Sequence, residues 1–504
     1  MNLSNNKNRT ISKGSLIKIM KRKNITIIHK SFVLTVLVSI LFSCQSCQNT
    51  DDNFNTVPPP TSETVDVDFF LTRADESALF SRQESGISAF NDNANFSINV
   101  SDGTIYQEMD GFGYSLTGGS ALHINNMSAS SRSALLNELF KWDDNNIGVS
   151  YLRISIGSSD LDEAPFSYND LPSGETDVNM SNFSINKDKE NLIPVLKEIL
   201  SINPNIKITA TPWSAPAWMK TNQSTIGGSL RTEYYEAYAN YFVKYIEAMA
   251  AEGITISALI PQNEPLNETN NPSMVMQPVE QANFIKNNLG PALQTAGIFT
   301  KIIAYGHNPD RTDFPITVLN DNDANPFIDG SAFHLYAGRI DNLSLVHNAH
   351  PDKNIYFSEQ WVSANEAFSD ALKWHARELL VGAPRNWSKT VLEWNLAADA
   401  NQDPHTDGGC TECLGAVTIE GNNVTKNVAY YIIAHAAKYV RPGSVRIESN
   451  FSTELPNVAY KTPDDSIVVI VLNNTGTKKD FNIKVADKPI TTSLDAGAVG
   501  TFVW

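Results

Sequence analysis

Eight short apolar runs alternate with amphipathic stretches through the middle of this chain, and that alternation constrains its fold more than any other feature. The runs lie at 109–113, 151–156, 206–211, 257–261, 301–304, 332–335, 354–357 and 390–394. Between them, apolar residues recur at helical spacing in 132–140, 191–200, 234–251, 278–296 and 370–380, and 428–440 follows the eighth run. Repeated strand–helix alternation predicts a parallel sheet, and eight units predict a closed (β/α)₈ TIM barrel of the α/β class. An open doubly wound sheet is the competing architecture. Its glycine signature is missing, because Gly111-Phe112-Gly113 and Gly118-Gly119 have the wrong spacing.

The two flanks of this region read differently. Alternating segments at 65–70 and 96–100, and strand-like segments at 466–473, 479–485 and 498–504, are expected to meet in a side β-sandwich domain formed from both termini. The expected division is a signal peptide at 1–43, a linker at 44–64, amino-terminal strands of the side domain at 65–105, the catalytic barrel at 106–440, and the rest of the side domain at 441–504. With 41% apolar and 18% charged residues, a chain of 504 residues can bury a core of this size.

The first 43 residues hold eight Lys or Arg and no Asp or Glu, and they end in the apolar run from Phe32 to Phe42. That pattern is a secretory signal too short for an ordinary membrane span. Met20 opens a more usual signal, so it is a second candidate start. Leu41-Phe42-Ser43-Cys44 resembles a bacterial lipoprotein cleavage box, which makes Cys44 the expected lipidated residue and the outer membrane, at the cell surface, the expected location. Ordinary secretion with cleavage nearby is the alternative. Removing eight positive charges from a formal net of −17 leaves −25, which argues against nucleic acid as a partner and is compatible with a neutral glycan. In an exported chain, Cys410 and Cys413 are expected to close a loop as a disulfide. A zinc site lacks a second ligand pair, and a redox motif lacks a helix start.

Two glutamates close apolar runs: Glu264 in Gln262-Asn263-Glu264-Pro265 and Glu359 in Phe357-Ser358-Glu359. Two strand-end carboxyls facing one cavity are what cleavage of a glycosidic bond with retention needs, one to protonate the leaving oxygen and one to attack the anomeric carbon. Other chemically suggestive residues also fall at strand ends, where the site of such a barrel lies: Arg153 and Asp160 with the second strand, Trp213 and Trp218 after the third, Asn263 with the fourth, His334 and Tyr336 with the sixth, and Trp394 and Asn395 with the eighth. Singly, each has a plain reading. His334 could be a core histidine, Arg153 an interior ion-pair partner, and the tryptophans helix-packing aromatics. Their joint placement at one rim outweighs those readings.

The segments 111–117, 211–222, 262–265, 333–336, 357–360 and 393–396 resemble those of glycoside hydrolase family 30, which includes glucosylceramidases and endo-β-1,6-glucanases. The resemblance implies retaining hydrolysis of β-glycosides without a cofactor or metal, with Glu264 as general acid/base and Glu359 as nucleophile. It further implies that Asn263 binds the sugar 2-hydroxyl, and that Arg153, Trp213, His334, Tyr336 and Trp394 line the same subsite. The chain departs from glucosylceramidase-like sequences at Thr117-Gly118-Gly119, where they carry an Asp after the Thr, and this argues against the same sugar recognition. A lipid-anchored endo-β-1,6-glucanase is therefore expected, with Trp213 and Trp218 as stacking walls for a curved β-1,6-glucan. The alternatives are an exo-acting β-glucosidase or glucosylceramidase-like enzyme, a hydrolase of another β-glycan such as xylan, and a surface glycan-binding lipoprotein without activity. Sequence leaves the oligomeric state open.

Overall fold

In the computed structural model, residues 66–504 apart from 93, 95 and 144 are described. The signal segment and the whole linker, with Cys44 and Cys47, lie outside them.

Eight parallel strands close on themselves in chain order: Gly111–Ser115, Tyr151–Ser155, Lys207–Thr211, Ala258–Leu259, Lys301–His307, Ile328–His334, Asn354–Glu359 and Ser388–Asn395. The seam is made by the first and eighth strands, with Phe112 opposite Val391. Side chains alternate across each strand. Leu152 and Ile154 join the large core shared with the helices, whereas Arg153, on the opposite face, meets residues of the barrel interior. Inside the barrel, Ala258, Ile260, Ile303, Ala332 and Tyr356 form a separate apolar cluster. At Gly113 a Cβ would stand 1.8 Å from the Tyr151 carbonyl oxygen, so only glycine lets the first two strands come this close.

The helices match the amphipathic stretches, with one recurring difference. The segments expected as single helices at 278–296 and 370–380 both contain a π-helical turn, Ile285–Leu289 and Ala376–Gly382. A proline follows each turn by two residues, Pro291 and Pro384. Proline has no N–H for the carbonyl four residues back and its ring crowds that carbonyl, so a wider turn accommodates it.

The flanks build one ten-stranded sheet. Asp68–Thr72 pairs antiparallel with Val499–Val503, and Ser97–Glu108 lies between Val445–Ser449 and Lys479–Val485. Residues from distant parts of this sheet share one core. Phe69 stacks on Phe502 at 4.5 Å, Phe481 meets Phe502 edge-on at 6.4 Å, and Ile98 and Ile490 join them, so the sheet folds over as a sandwich. It is fixed to the barrel by His435 of the helix Val428–Ala437, whose ring nitrogens lie 2.8 Å from Thr72 Oγ1 and 2.8 Å from Thr501 Oγ1.

Candidate active site

The fourth barrel strand is short, and past it the chain turns through Pro261, Gln262, Asn263 and Glu264. Glu264 has φ +42°, a left-handed conformation that a residue with a Cβ rarely adopts. It is held there by its N–H bond to the Gly306 carbonyl at 2.9 Å. The Gln262 amide fixes the same turn by donating to the carbonyls of Trp213 at 2.7 Å and Asn263 at 2.8 Å. Glu359 ends the seventh strand directly.

His334 lies between the two carboxyls, its Nδ1 3.0 Å from Glu264 Oε1 and 3.4 Å from Glu359 Oε1. Arg153 Nη1 pairs with Glu359 Oε2, while its Nη2 donates to Asn263 Oδ1 at 2.6 Å. The Tyr336 hydroxyl donates to Glu359 Oε1 at 2.9 Å, and the Asn267 amide donates to Glu264 Oε2 at 2.8 Å. Each carboxylate thus has orienting partners of its own besides the shared His334. One oxygen of Glu264, one of Glu359 and a nitrogen of His334 all lie within 4.8 Å of one another. Among the described residues this is the one group whose atoms could converge on a metal ion. The Arg153 guanidinium already supplies the positive charge on Glu359 that a cation would bring.

These residues open into a cavity of about 550 Å³. Trp213 and Trp394 stack at 5.3 Å on one side, with the Arg153 guanidinium 4.8 Å from the Trp213 ring centre. Asn263, Tyr336 and both glutamates also line it. Arg153 and His334 lie fully buried beneath. The structure therefore brings Arg153, Trp213, Asn263, Glu264, His334, Tyr336, Glu359 and Trp394 together. Cys410 and Cys413 are disulfide-bonded and form part of the cavity wall. Their loop is tied to the segment after Glu359 by antiparallel pairing of Val362 with Leu414 and Ser363 with Cys413. Cys44 lies outside the described residues.

Charge is unbalanced here. Burial pushes the Asp160 carboxyl up, Glu359 and Glu264 push it further, and it reaches about 7 despite a bond from the Cys410 N–H. Burial also raises Glu264, but the hydrogen bond and charge of His334, the charge of His307 and the Asn267 amide outweigh it and bring this carboxyl down to about 2. Burial and the two neighbouring glutamates lift the Tyr336 phenol well above its usual range, so it remains a donor.

One expectation is corrected. Trp218 does not wall the cavity: it is buried in the main core, and its Nε1 donates to Asn169 O and Oδ1, both at 3.0 Å. The stacking surface beyond Trp213 and Trp394 is Trp361 instead. Position 118 does not face the cavity either. A Cβ there would stand 1.7 Å from Asp162 Oδ1, so the space beside Gly118 is taken by Asp162, which accepts from Ser159 N at 2.8 Å and Oγ at 2.9 Å. A carboxyl reaches the cavity from the loop after the second strand all the same, supplied by Asp160.

His307 and Trp361 complete the lining without having been assigned to it from sequence, and Asp160 joins them from the rim position expected of it. Asp160 and Trp361 sit just beyond strand ends, where rim residues are expected. His307 was hidden because the fifth strand was expected to stop at 304. It runs on to 307 through Tyr305 and Gly306, both at positive φ. The wall after the third strand is held by Lys220, whose buried ammonium donates to Ser214 Oγ at 2.9 Å, Thr225 O at 3.1 Å and Ser273 O at 2.7 Å. Burial brings it down to about 7.

A closed barrel that presents two carboxylates in an aromatic-lined cavity at the carboxyl ends of its strands defines a glycoside hydrolase. The chain belongs to glycosyl hydrolase family 30: its TIM-barrel domain matches residues 109–440 and its beta sandwich domain residues 443–502. The endo-1,6-beta-D-glucanase of Neurospora crassa is 36% identical over 387 residues, 73% of this chain and 79% of that protein. The putative glucosylceramidase 1 of Caenorhabditis elegans is 30% identical over 395 residues, 73% of this chain and 74% of that protein. Among solved structures, the endo-beta1,6-glucanase BT3312 superposes with a TM-score of 0.80 at 33% identity, covering 87% of this chain and 99% of that one.

Proposed function

We propose that this protein is a retaining endo-β-1,6-glucanase. The observation that carries the retaining mechanism is the approach of Glu264 and Glu359, with carboxylate oxygens within 4.8 Å. A retaining pair stands about 5–5.5 Å apart, whereas an inverting pair leaves about 6.5–9.5 Å for a water. Glu359, with one oxygen on Arg153 and the other on Tyr336, attacks the anomeric carbon as the glycosidic C–O bond breaks and Glu264 gives its proton to the leaving oxygen. Glu264 then takes a proton from water, whose oxygen displaces Glu359 and returns the β anomer. In the open site Glu264 lies at about 2, so the acid form belongs to the substrate complex, where the sugar deepens the burial that already raises this carboxyl. In this reading Asn263 binds the 2-hydroxyl, and Asp160, whose carboxyl is raised to about 7, donates to another sugar hydroxyl in its acid form.

The β-1,6 linkage is supported by the endo-1,6-glucanase relatives, which exceed the glucosylceramidase relative in identity over similar lengths. The test is a panel of β-1,6-, β-1,3- and β-1,4-glucans and xylan, with products followed in time. The expected kcat/KM on β-1,6-glucan exceeds the others by at least about a hundredfold, on the order of 2.7 kcal/mol, with oligomers appearing early. Comparable cleavage of xylan or glucosylceramide would overturn the linkage, and an α-anomeric first product the double displacement.

The basic segment, its short apolar run and Cys44 support export with a lipid anchor. Cys44→Ala is expected to abolish lipid labelling of the precursor while leaving solubilised enzyme active. Labelling that persists would exclude Cys44 as the anchor.

A further inference from the structure

A second cavity, of about 920 Å³, lies where the rim after the sixth strand, the helical segment around 374–386 and the sandwich loop 451–456 meet. Tyr336 lines it as well as the first cavity. From the positions and pairing of its side chains we propose that this cavity binds a more distant stretch of the same β-glucan chain that is cut beside Glu264 and Glu359. The inference rests on the glucanase reading above.

Continuity is the first argument. Tyr336 is 39% exposed, bonds Glu359 through its hydroxyl at 2.9 Å, and is fixed by its own N–H to Asn308 Oδ1 at 2.8 Å. A glucan chain leaving the cleaved bond along this ring enters the second cavity directly.

The second argument is a fixed aromatic surface. Phe451 is 58% exposed, and an apolar ring in water is unremarkable unless the structure holds it in place. Here the structure does. Arg385 Nη1 donates to Ser449 Oγ at 3.1 Å and Asn457 O at 3.1 Å, and Nη2 donates to Ser449 O at 3.2 Å. Those bonds pin both ends of the loop that carries Phe451, and the guanidinium lies 5.2 Å from its ring centre. Trp374 lines the same cavity from the barrel helix. Two rings on separate rigid elements suit the C–H faces of successive sugars.

The third argument is charge. Arg339 is paired with Asp341 at 2.7 Å and Arg377 with Glu378 at 2.7 Å. Arg385, the fifth charged side chain of the lining, is turned onto the loop carbonyls and the Phe451 ring, so the lining offers planar hydrogen-bonding groups for neighbouring hydroxyls with two of its three guanidinium charges cancelled, which suits a neutral sugar chain better than a multiply charged ligand.

The test compares long and short substrates on the full chain. Trp374→Ala combined with Phe451→Ala is expected to lower kcat/KM on β-1,6-glucan polymer at least tenfold, and to change it less than twofold on a short aryl β-1,6-glucoside. Arg339→Ala, at a side chain 79% exposed and so without consequence for folding, is expected to lose about threefold on the polymer alone. Equal losses on both substrates, or none on either, would overturn the proposal. Should the wild-type enzyme prefer another β-glucan, the linkage assignment falls, and the same long-to-short ratio on that glucan decides the cavity separately.

Discussion

The two ends of the barrel are both rich in buried polar groups, and they use them in opposite ways. At the amino end of the strands, each acid has cations or hydroxyls to itself. Asp110 meets Lys207 at 2.8 Å and Lys389 at 3.5 Å; Asp329 meets Lys301 at 3.1 Å, the Tyr356 hydroxyl at 2.5 Å and the Asn354 amide at 2.9 Å. Burial raises Asp329, yet those partners hold it below the usual carboxylate range. At the carboxyl end, Asp160, Glu264 and Glu359 crowd around one guanidinium and two histidines, and Asp160 is pushed up to about 7. The same residue types pair off at one end and share partners at the other, where His334 lies between both glutamates and Asp160 has no cation of its own among the described residues. The balance, rather than the presence, of charge separates a structural end from a reactive one.

Glu359→Ala breaks that comparison most sharply. Turnover is expected to fall by at least about 10⁴-fold on every substrate, and the melting temperature to fall as well, because the fully buried Arg153 guanidinium loses its carboxylate. Near-native turnover would remove Glu359 from the nucleophile role.

Asp160→Asn sharpens it at intermediate size. With its carboxyl raised from 3.8 to about 7, the folded chain keeps a proton that the unfolded chain has already released. Stability therefore declines as pH rises from about 4 to about 7 and is flat above, and the variant should lose this decline, gaining on the order of 4 kcal/mol at most at pH 7. Above pH 7 the ionised Asp160 adds a negative charge beside both glutamates, so wild-type kcat/KM should drop there. In the variant that basic limb should vanish while kcat/KM at its optimum falls about tenfold or more; an unchanged pH profile would show that Asp160 does not titrate in this range.

Asp110→Asn, at the opposite end, should cost about 1 kcal/mol, since Lys207 is partly exposed and its pairing is screened by solvent. Chemical denaturation would measure the loss. Kinetic constants should stay unchanged, and a drop in turnover would mean that the two ends are coupled.

The barrel was legible because its strands are buried on both faces and so read as uninterrupted apolar runs, and the rim residues were legible because they follow those runs. The sandwich was read less fully. Val445–Ser449 carries Arg446 and Glu448, and Ile490–Leu494 is mostly threonine and serine, so neither stands out from a polar loop until its partner strand is known. The Trp218 correction has a physical cause. A tryptophan on a strand-end loop can turn inward to the core, as Trp218 does, or out to the cavity, as Trp361 does, and the choice is made by distant partners such as Asn169. The consequence of glycine at 118 likewise depends on Asp162, more than forty residues away.

The adjacency of Asp68–Thr72 and Val499–Val503 has a consequence for how the molecule is made. Roughly 430 residues separate the two strands, and at about 5–20 residues per second the ribosome delivers the second some 20–90 seconds after the first. Throughout that interval one edge of the earlier strand, and the Phe69 ring, wait without the neighbour that will cover them. A message cut short before residue 499 would not yield a smaller enzyme. It would release a chain whose sheet edge never closes and whose His435 lacks its Thr501 contact, a substrate for proteolysis and edge-to-edge aggregation.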